Sequence, residues 1–269
     1  WCGLEDGSSF TLPVIQRGLT DKSEVTCTIK GNKIGGQFTV NQQLKPLFHG
    51  SLNSVDFPDS EGVHTFTIPL IKNTNSIRIV LQHISGKKVD PDLFTYHITA
   101  DNGVLNWNNE IVPGNIVNYE AYYTATGEEV LSKADSVPTA AATAVADFAI
   151  SRLMASSDAR LTIKKLNGQP VLSIPVVDFL LLVKSYYKQA MTNQEYLDRQ
   201  DDFYFLFFLQ DKKADPDDPG DDPGGTDPDD PDDPDDPDDP DDPDDPDYTW
   251  MDAYIYIGSW RVVLSNTTL

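Results

Sequence analysis

The residue types that carry out most enzymatic chemistry are present in this sequence, but their spacing is not catalytic. The four histidines, His49, His64, His83 and His97, show no H-E-x-x-H or other metal-ligand spacing. The sequence has no glycine-rich phosphate loop, no G-x-S-x-G turn and no cysteine beside a candidate base. Repeated pairs of carboxylates occur only in a proline-rich stretch, where they lack the fixed separation that glycoside hydrolysis requires. We therefore predict that the protein is not an enzyme and uses no cofactor.

One group of polar residues has the composition of a calcium site. Asp101-Asn102-Gly103 is followed by Asn106, Asn108, Asn109 and Glu110, which together carry enough oxygen atoms to ligate the ion. These residues lack the D-x-[DN]-x-[DN]-G order of an EF-hand loop, and all of them are common in turns. We expect turn chemistry here and no metal site.

Three tyrosines lie close together in the sequence, Tyr119, Tyr122 and Tyr123. Their aromatic faces would suit stacking against sugar rings, which gives one candidate binding surface. The simpler interpretation is a strand that carries amphipathic tyrosines at the surface of a β-sandwich.

Acidic residues are concentrated in one stretch, Asp211 to Asp247, which ends in six Asp-Asp-Pro triplets. Its 20 Asp and two Lys give a net charge of −18 out of −23, so the other 232 residues carry only −5. From Asp215 onward this stretch has no apolar side chain to bury, and its prolines prevent helix formation. We therefore predict a disordered insertion at residues 211–248, extended near polyproline II, which binds divalent cations only loosely. Nucleic-acid binding is not expected, because the rest of the chain has no basic stripe.

The cysteines and the ends of the chain say little about the cellular compartment. Cys2 and Cys27 either pair or are both buried thiols. The apolar run Val176 to Val183 is far shorter than the ~20 residues of a membrane-spanning helix. The chain begins at Trp1 without a signal-peptide pattern, so we expect a fragment or processed form with any targeting signal upstream.

Apolar residues at alternate positions predict strands along most of the chain. Two regions allow two interpretations. In residues 140–154 the alanines favour helix but the alternation favours strand, and Asn73-Thr74-Asn75 either bends one strand or separates two. The predicted strands include Val25 to Ile29, Phe38 to Val40, Phe66 to Leu70, Ile77 to Leu81, Phe94 to Ile98, and a hairpin of 161–166 with 171–174 around Asn167-Gly168.

The second half of the sequence adds helix signals and two further strands. Pro175 precedes a predicted helix that reaches about Gln189, and Thr192-Asn193-Gln194-Glu195 has the spacing of a capping box. Phe203 to Leu209 is apolar throughout, as in a central strand buried on both faces. Tyr254 to Val263 is predicted as one last strand with a bulge or bend at Gly258. An isolated strand is unstable, so it should pair with Phe203 to Leu209 across the acidic tract.

Six stretches of the sequence, in this order, are typical of a single protein family. They are Trp1-Cys2-Gly3-Leu4, Leu47-Phe48-His49-Gly50, residues 72–82, Ser151-Arg152-Leu153-Met154, residues 194–200, and residues 255–263. Together they resemble the FimB-like fimbrial anchor and accessory subunits of Bacteroidales.

The resemblance implies two transthyretin-like β-sandwich domains in an outer-membrane lipoprotein that holds a fimbrial shaft, although relatives with this fold can sit at the tip. It also implies that subunits complete one another's sheets with an exchanged strand. The partners would be the shaft pilin, accessory subunits and, through a lipid anchor upstream of this chain, the outer membrane. The acidic tract is not an expected family feature and takes the place of a short turn.

We accordingly predict an all-β chain with one or two short helices in its second domain. Residues 1–61 would be the C-terminal part of an incomplete first sandwich, and residues 62–269 a second sandwich interrupted at 211–248. The expected function is that of a non-enzymatic structural subunit of cell-surface fimbriae, as anchor or as accessory or tip subunit. The candidate subunit interface comprises Trp1, Ile255, Ile257, Trp260 and Val262. The alternative function is a surface adhesin or glycan-binding module.

Overall fold

The computed structural model describes residues 1–52, 54–56, 61–129, 141–184, 190–211, 248–257 and 260–265, with the backbone alone for residues 128, 129 and 141 and from 248 onward. Within these ranges the chain forms 17 strands, two α-helices and two short 3-10 turns. This content confirms the predicted all-β fold with two short helices. The strands are β1 (Phe10–Thr11), β2 (Thr26–Ile29), β3 (Asn32–Ile34), β4 (Gln37–Val40), β5 (Phe48–His49), β6 (Ile71–Lys72), β7 (Thr74–His83), β8 (Phe94–Asp101), β9 (Val104–Asn106), β10 (Ile116–Glu120), β11 (Tyr123–Glu129), β12 (Ala141–Ser151), β13 (Arg160–Lys165), β14 (Pro170–Pro175), β15 (Asp202–Asp211), β16 (Tyr248–Ile257) and β17 (Trp260–Ser265), and the helices are α1 (Val176–Lys184) and α2 (Asn193–Asp198).

Two six-stranded sheets make up most of the fold. Sheet I has the strand order β14-β13-β8-β10-β4-β3, and sheet II has the order β11-β12-β7-β15-β16-β17. Each contains one parallel pair, β4 with β10 in sheet I and β7 with β15 in sheet II. A three-stranded sheet, β1-β2-β9, and the pair β5-β6 complete the described structure.

The inner faces of the two large sheets enclose one apolar core. Ile98 in β8 and Leu161 in β13 point inward from sheet I, and Ile79 in β7 and Phe205 in β15 point inward from sheet II; all four are fully buried and belong to one cluster. Burial of each such side chain contributes about 1.5–3 kcal/mol. Alternation along the strands therefore produces a β-sandwich, as predicted.

β15 is buried on both faces, which confirms the predicted central strand. Phe205 and Phe207 belong to the core, while Leu206 and Phe208 belong to a second apolar cluster on the outer face of sheet II. On its two sides β15 pairs with β7 and β16.

The strands on either side of the acidic tract are neighbours in sheet II. β15 and β16 pair antiparallel along their length, with Asp211 opposite Tyr248 at the end of the pairing. The predicted hairpin is therefore confirmed, and the tract connects two strands of one sheet. The tract itself, residues 212–247, lies outside the described residues.

The prediction of a single last strand from Tyr254 to Val263 is wrong. β16 ends at Ile257, and β17 begins at Trp260 and pairs back on it, with these two residues opposite each other. Both strands keep an apolar pattern, and a glycine between them suits a turn as well as a bulge, so the pattern alone did not reveal the reversal. Gly258, where the bulge was predicted, lies outside the described residues.

The prediction of a strand from Phe66 to Leu70 is also wrong. Strand pairing begins only at β6, and no described strand lies beside residues 62–70. Ile68 and Leu70 are 50% and 53% exposed. Alternation gives a stable strand only where a neighbouring strand supplies hydrogen-bond partners.

Strand pairing crosses the domain boundary predicted at residue 61. β2 pairs with β9, β4 with β10 and β5 with β6, so every described strand before residue 61 belongs to a sheet with later strands. Cys27, Val40 and Leu47 lie in the same core as Ile98. The described part of residues 1–61 therefore does not form a sandwich of its own. Reading the sequence in order could not show this, because β4 and β10 are far apart in the chain.

Other local predictions hold where the structure describes them. Residues 141–151 form strand β12 rather than a helix. β13 and β14 form the predicted hairpin, with Gly168 in the turn at φ +90°, a conformation that favours glycine.

Both predicted helices are present. α1 starts directly after Pro175, buries residues at i, i+1, i+3, i+4 and i+7, and contacts β14, β16 and β17. Its predicted extension to Gln189 falls on residues 185–189, which lie outside the described residues. α2 is capped by Thr192, whose Oγ1 accepts a 3.1 Å hydrogen bond from the backbone N–H of Glu195.

Candidate functional site

Trp1, a predicted interface residue, is half-buried against the core. Its ring packs edge-on against His49, with 4.5 Å between the ring centroids. The next residue, Cys2, exchanges two backbone hydrogen bonds of 2.9 Å with Phe48 in β5. An exposed sheet edge was expected beside Trp1, but the backbone next to it, at Cys2, is paired with β5.

The other four predicted interface residues lie together in the last two strands of sheet II. Ile255 is opposite Val262, and Ile257 is opposite Trp260. β16 is paired on both sides, with β15 and β17. β17 is the last strand in the described order of sheet II, so it forms an edge of that sheet. Among the described strands, β17 therefore has one unpaired side and β16 has none.

A buried polar network, which we call the Arg152 network, connects the end of β12 to α2. The Arg152 side chain is 8% exposed and donates to both carboxylate oxygens of Asp198, at 2.7 Å from Nη2 to Oδ2 and 3.1 Å from Nε to Oδ1. Its Nη1 donates to the backbone carbonyl of Asn109. The Nε2 of Gln194 donates to Asp198 Oδ1 at 2.9 Å, and its Oε1 accepts from the backbone of Ala155. The network comprises Arg152, Asp198, Asn109 and Gln194.

Asn109 connects the network to the loop that follows β9. It adopts φ +65°, a left-handed conformation that asparagine tolerates better than most residues. Its side-chain amide forms a reciprocal pair with that of Asn73, with hydrogen bonds of 2.7 and 3.1 Å. Both asparagines are buried. The pair therefore ties this loop to the start of β7.

Tyr119 lies beside the network and is fully buried. Its hydroxyl donates to Asn102 Oδ1 at 2.7 Å and accepts from the backbone N–H of Ser151. The Asn102 amide in turn donates to the carbonyls of Ser151 and Arg152, at 3.2 and 3.1 Å. Burial raises the pKa of Tyr119, which keeps the hydroxyl protonated as a donor. Tyr119 is a core residue and cannot stack on a sugar, so neither the candidate sugar-binding surface nor the simpler interpretation, a tyrosine at the surface of the sandwich, is right for this residue.

The Arg152 network has the features of a structural clamp. Its charges are buried, paired and hydrogen-bonded, which is how proteins keep ionic groups inside a core. The guanidinium and the carboxylate are engaged with each other and with backbone groups, leaving no open position for a substrate between them. The network therefore fixes β12, α2 and the loop after β9 relative to one another.

A cleft of about 360 Å³ opens on the outer face of sheet II, and we call it the Arg78 cleft. Arg78 and Asp147, opposite each other on β7 and β12, form a bidentate ion pair with Nε–Oδ1 of 2.7 Å and Nη2–Oδ2 of 2.8 Å. The hydrogen bonds that Arg78 donates to Asp147 raise the pKa of Arg78, so the guanidinium stays charged. The side chains that line the cleft with polar atoms belong to Ser76, Arg78, Tyr122, Asp147, Asp202 and Tyr204.

The other two tyrosines of the candidate binding surface lie at or beside this cleft. Tyr122 lines the cleft and is half-buried; burial raises its pKa, and the carboxylate of Asp147 adds to the effect. Tyr123 is 52% exposed and lies opposite Asp147 in the strand register. The structure thus brings two of the three tyrosines to one polar surface.

The oxygen-rich loop considered for calcium is held by turn hydrogen bonds. The Asp101 carboxylate accepts from the backbone N–H groups of Gly114 and Asn115, both at 2.7 Å. The Asn106 Oδ1 accepts from the backbone of Glu110 at 3.0 Å. These oxygens are committed to backbone donors, as turn chemistry predicts.

Among the residues that the structure describes, no three His, Cys, Asp or Glu side chains are grouped so as to hold a metal ion. No described helix combines the length and apolar character needed to cross a membrane.

The two cysteines are free thiols, so the disulfide alternative is not realised in this structure. Cys27 is buried, and burial raises its pKa to about 12, which makes it unreactive. Cys2 is exposed, so the second alternative, two buried thiols, is right for Cys27 and wrong for Cys2.

Sequence reasoning missed both the Arg152 network and the Arg78 cleft. A usable signal existed for the cleft, because Asp147 and Arg78 each stand alone as a charge in an apolar strand, and such charges commonly pair across strands. The network gave a weaker signal. The local pattern around Gln194 and Asp198 indicates a short capped helix and no partner for Arg152.

The chain is similar to several solved structures. A candidate adhesin from Bacteroides thetaiotaomicron is 25% identical, with a TM-score of 0.67 over 97% of this chain and 74% of that chain. Candidate polysaccharide-binding proteins from the same organism are 20% identical, with a TM-score of 0.68 over 99% and 75%. The fimbrial anchor protein Mfa2 from Porphyromonas gingivalis is 14% identical, with a TM-score of 0.57 over 94% and 72%. The last two likenesses show the shared fold alone.

No curated protein matches the sequence. The family model of the fimbrillin-A associated anchor proteins Mfa1 and Mfa2, in contrast, matches residues 1–266, nearly the whole chain. This match confirms the resemblance drawn from the six stretches: the chain belongs to the family of fimbrillin-A associated anchor proteins Mfa1 and Mfa2.

Proposed function

We propose that the protein holds a fimbrial shaft at the outer membrane, or acts as an accessory subunit of the same fimbria, and that it joins its neighbour by strand pairing at β17. Family membership already gives a fimbria-associated, non-enzymatic structural or adhesin role. The observation that supports strand pairing is the edge of sheet II, where β17 pairs only with β16 among the described strands. An edge strand offers a row of backbone donors and acceptors to an extended segment of another chain.

The surroundings of β17 support a preformed interface. β16 holds β17 in register over six residue pairs, and α1 contacts both strands. A strand that is already fixed loses little conformational entropy when it binds a partner. In this proposal Trp260 and Val262 form the interface directly, and Ile255 and Ile257 support it from β16.

The partners proposed are the shaft pilin and accessory fimbrial subunits. The connection to the outer membrane would be a lipid attached upstream of Trp1, which is implied by the family resemblance. Deletion of the gene should then release fimbriae into the medium if the protein is the anchor, and leave them attached if it is a tip subunit.

Proline substitution tests the pairing at β17 in the complete protein in its own cells. In an antiparallel pair, alternate residues direct their N–H groups toward the neighbouring strand or away from it. One of the substitutions Val262→Pro and Val263→Pro therefore removes a backbone N–H that points away from β16, and we call it the outward variant. The other, the inward variant, removes a backbone N–H that donates to β16. We expect the outward variant to keep its thermal midpoint but to lose about tenfold in co-purified shaft subunit. The inward variant should unfold at lower temperature.

The matched control is threonine at the same two positions, which keeps both backbone donors and should assemble normally. If the well-folded proline variant retains shaft subunit at the wild-type level, then β17 is not the assembly edge.

A second role, as a surface adhesin or glycan-binding module, is favoured by a separate observation, the Arg78 cleft. Proteins with this fold include structures named as a candidate adhesin and as candidate polysaccharide-binding proteins. We propose this role for the present chain because of the side chains in its own cleft.

A further inference from the structure

We propose that the Arg78 cleft binds a neutral saccharide. This inference rests on the adhesin role above and not on anchoring through β17. The residues of the cleft lie on β7, β12 and β15 and just before the start of β11.

The strand register places the groups of the cleft in one row. Tyr123 is opposite Asp147, Asp147 is opposite Arg78, and Arg78 is level with Tyr204 on the parallel neighbour. Neighbouring strands are about 4.8 Å apart, so this row of four residues spans roughly 14 Å across sheet II. The row therefore presents a polar centre, the pair of Asp147 and Arg78, between Tyr123 and Tyr204.

The polar centre can both donate and accept hydrogen bonds. Arg78 uses Nε and Nη2 to bind Asp147, so its Nη1 amino group, on a side chain that is 52% exposed, remains available to donate. The carboxylates of Asp147 and Asp202 accept. A sugar hydroxyl both donates and accepts, and adjacent hydroxyls need the two functions side by side. The ion pair supplies them in a fixed geometry.

The tyrosines supply the apolar part of the recognition. Tyr122 and Tyr204 line the cleft and are both half-buried, so each ring is held by its surroundings. Tyrosine combines an apolar ring with a polar tip, and a pyranose combines a C–H face with hydroxyl groups at its edge. The tyrosine rings can pack against the C–H face of the sugar, while the ion pair of Arg78 and Asp147 binds its hydroxyl groups.

Charge and size favour a neutral sugar over an acidic one. Arg78 faces the carboxylates of Asp147 and Asp202, and the nearby Asp201 is already paired with Lys72 at 2.6 Å, so the cleft carries a net negative charge. An anionic ligand would be repelled. The volume of about 360 Å³ is at the lower end of ligand sites, which commonly measure roughly 300–1,000 Å³.

Saturation-transfer NMR on the whole folded chain tests the proposal. The probes are the methyl glycosides of glucose, galactose, mannose, N-acetylglucosamine and fucose, with the methyl glycoside of N-acetylneuraminic acid as the anionic comparison. We expect at least one neutral glycoside to bind, with the strongest transfer at its ring C–H protons. Arg78→Ala and Tyr122→Ala should each weaken that binding about tenfold or more.

Leu166→Ala is the control, because this exposed residue lies in the β13–β14 turn of the other sheet and should not change binding. If Tyr122→Ala lowers the thermal midpoint, Asp202→Ala at the exposed rim replaces it as the second cleft variant. The proposal is overturned if no neutral glycoside binds, if binding survives both cleft variants, or if only the anionic glycoside or an extended peptide binds. A negative result with the glycosides would not count against anchoring through β17, and a negative result with the proline variants of β17 would not count against sugar binding.

Discussion

Among single residues, Arg152 shows how charge is accommodated inside the sandwich. Its side chain and that of Asp198 are 8% and 14% exposed, and both are fully engaged in hydrogen bonds. A buried ion pair often stabilises a fold no better than an apolar pair, but losing one partner leaves an uncompensated charge. We infer that the pair fixes the relative position of β12 and α2 rather than adding much net stability.

This inference gives a prediction for Arg152→Met. The variant should lower the free energy of unfolding by about 3–5 kcal/mol, because Asp198 is left buried without its partner. The double variant Arg152→Met, Asp198→Leu should recover part of the loss, since no charge remains buried. Urea unfolding measures all three proteins.

The exposed pair of Arg199 and Glu195, at 54% and 43% exposure, supplies the matched control. Arg199→Ala should cost less than about 0.5 kcal/mol, because surface pairs one helical turn apart contribute little. Equal losses from Arg152→Met and Arg199→Ala would show that the Arg152 network is not buried as described.

His49 should give the fold a dependence on pH. Burial lowers its pKa and the positive charge of Arg152 adds to this, while the 3.1 Å hydrogen bond from Nε2 to the Trp107 carbonyl opposes it. The unfolded chain, with a histidine pKa of about 6.5, therefore binds more protons than the folded one below that pH. The contribution of neutral His49 is complete above about pH 6.5 and is lost as the pH falls through the folded pKa.

His49→Gln keeps a side-chain N–H but does not titrate. As the pH falls below about 6.5, the variant should reduce the slope of the free energy of unfolding against pH by up to about 1.4 kcal/mol per pH unit, the limit for one proton. Urea unfolding of both proteins at several pH values measures the slopes. Parallel curves would mean that His49 titrates normally in the folded protein.

Among the elements, the neighbouring strand decides whether an alternating pattern is buried. β7 lies between β12 and β15, and its inward residues are fully buried. Residues 66–70 alternate just as regularly but have no described strand beside them, and Ile68 and Leu70 are about half exposed. Exposed apolar residues in an extended segment promote association with other chains.

We therefore predict that Ile68→Thr with Leu70→Lys reduces aggregation without destabilising the fold. Light scattering should show less concentration-dependent association, and the free energy of unfolding should change by no more than about 0.5 kcal/mol. Ile98→Thr, at a fully buried position in β8, is the contrasting control and should cost about 2 kcal/mol or more. A lower thermal midpoint for the double variant would mean that this segment is part of the folded core.

For the whole molecule, the sequence predicts those structural features that depend on residues close together in the chain. The Thr192 cap, the hairpin around Gly168 and the buried strand β15 each follow from a few consecutive residues. Arg152 binds Asn109 and Asp198, which are 43 and 46 positions away in the sequence, and the paired residues of β4 and β10 are still farther apart. No local period signals such contacts. The family-like stretches did contain Asn73, Arg152 and Asp198, so the resemblance located these residues without explaining them.

The last prediction concerns the connection between β15 and β16. Asp211 closes the hairpin opposite Tyr248 and also binds Lys87 at 2.9 Å and His83 at 3.3 Å, so the base of the connection is held by described residues. Replacing residues 212–247 with a four-residue turn should leave the sandwich intact. It should raise the free energy of unfolding by up to ~2 kcal/mol, because a shorter loop costs less entropy to close.

Urea unfolding at low and high salt measures the effect, and a scrambled tract of the same length and composition is the control. The scrambled variant should match the wild type, since only loop length and charge enter the argument. The shortened variant also loses 19 Asp and two Lys, so its stability should depend less on salt. If the shortened protein fails to fold while the scrambled one folds, the tract would be supplying structure to the sandwich and not merely connecting two of its strands.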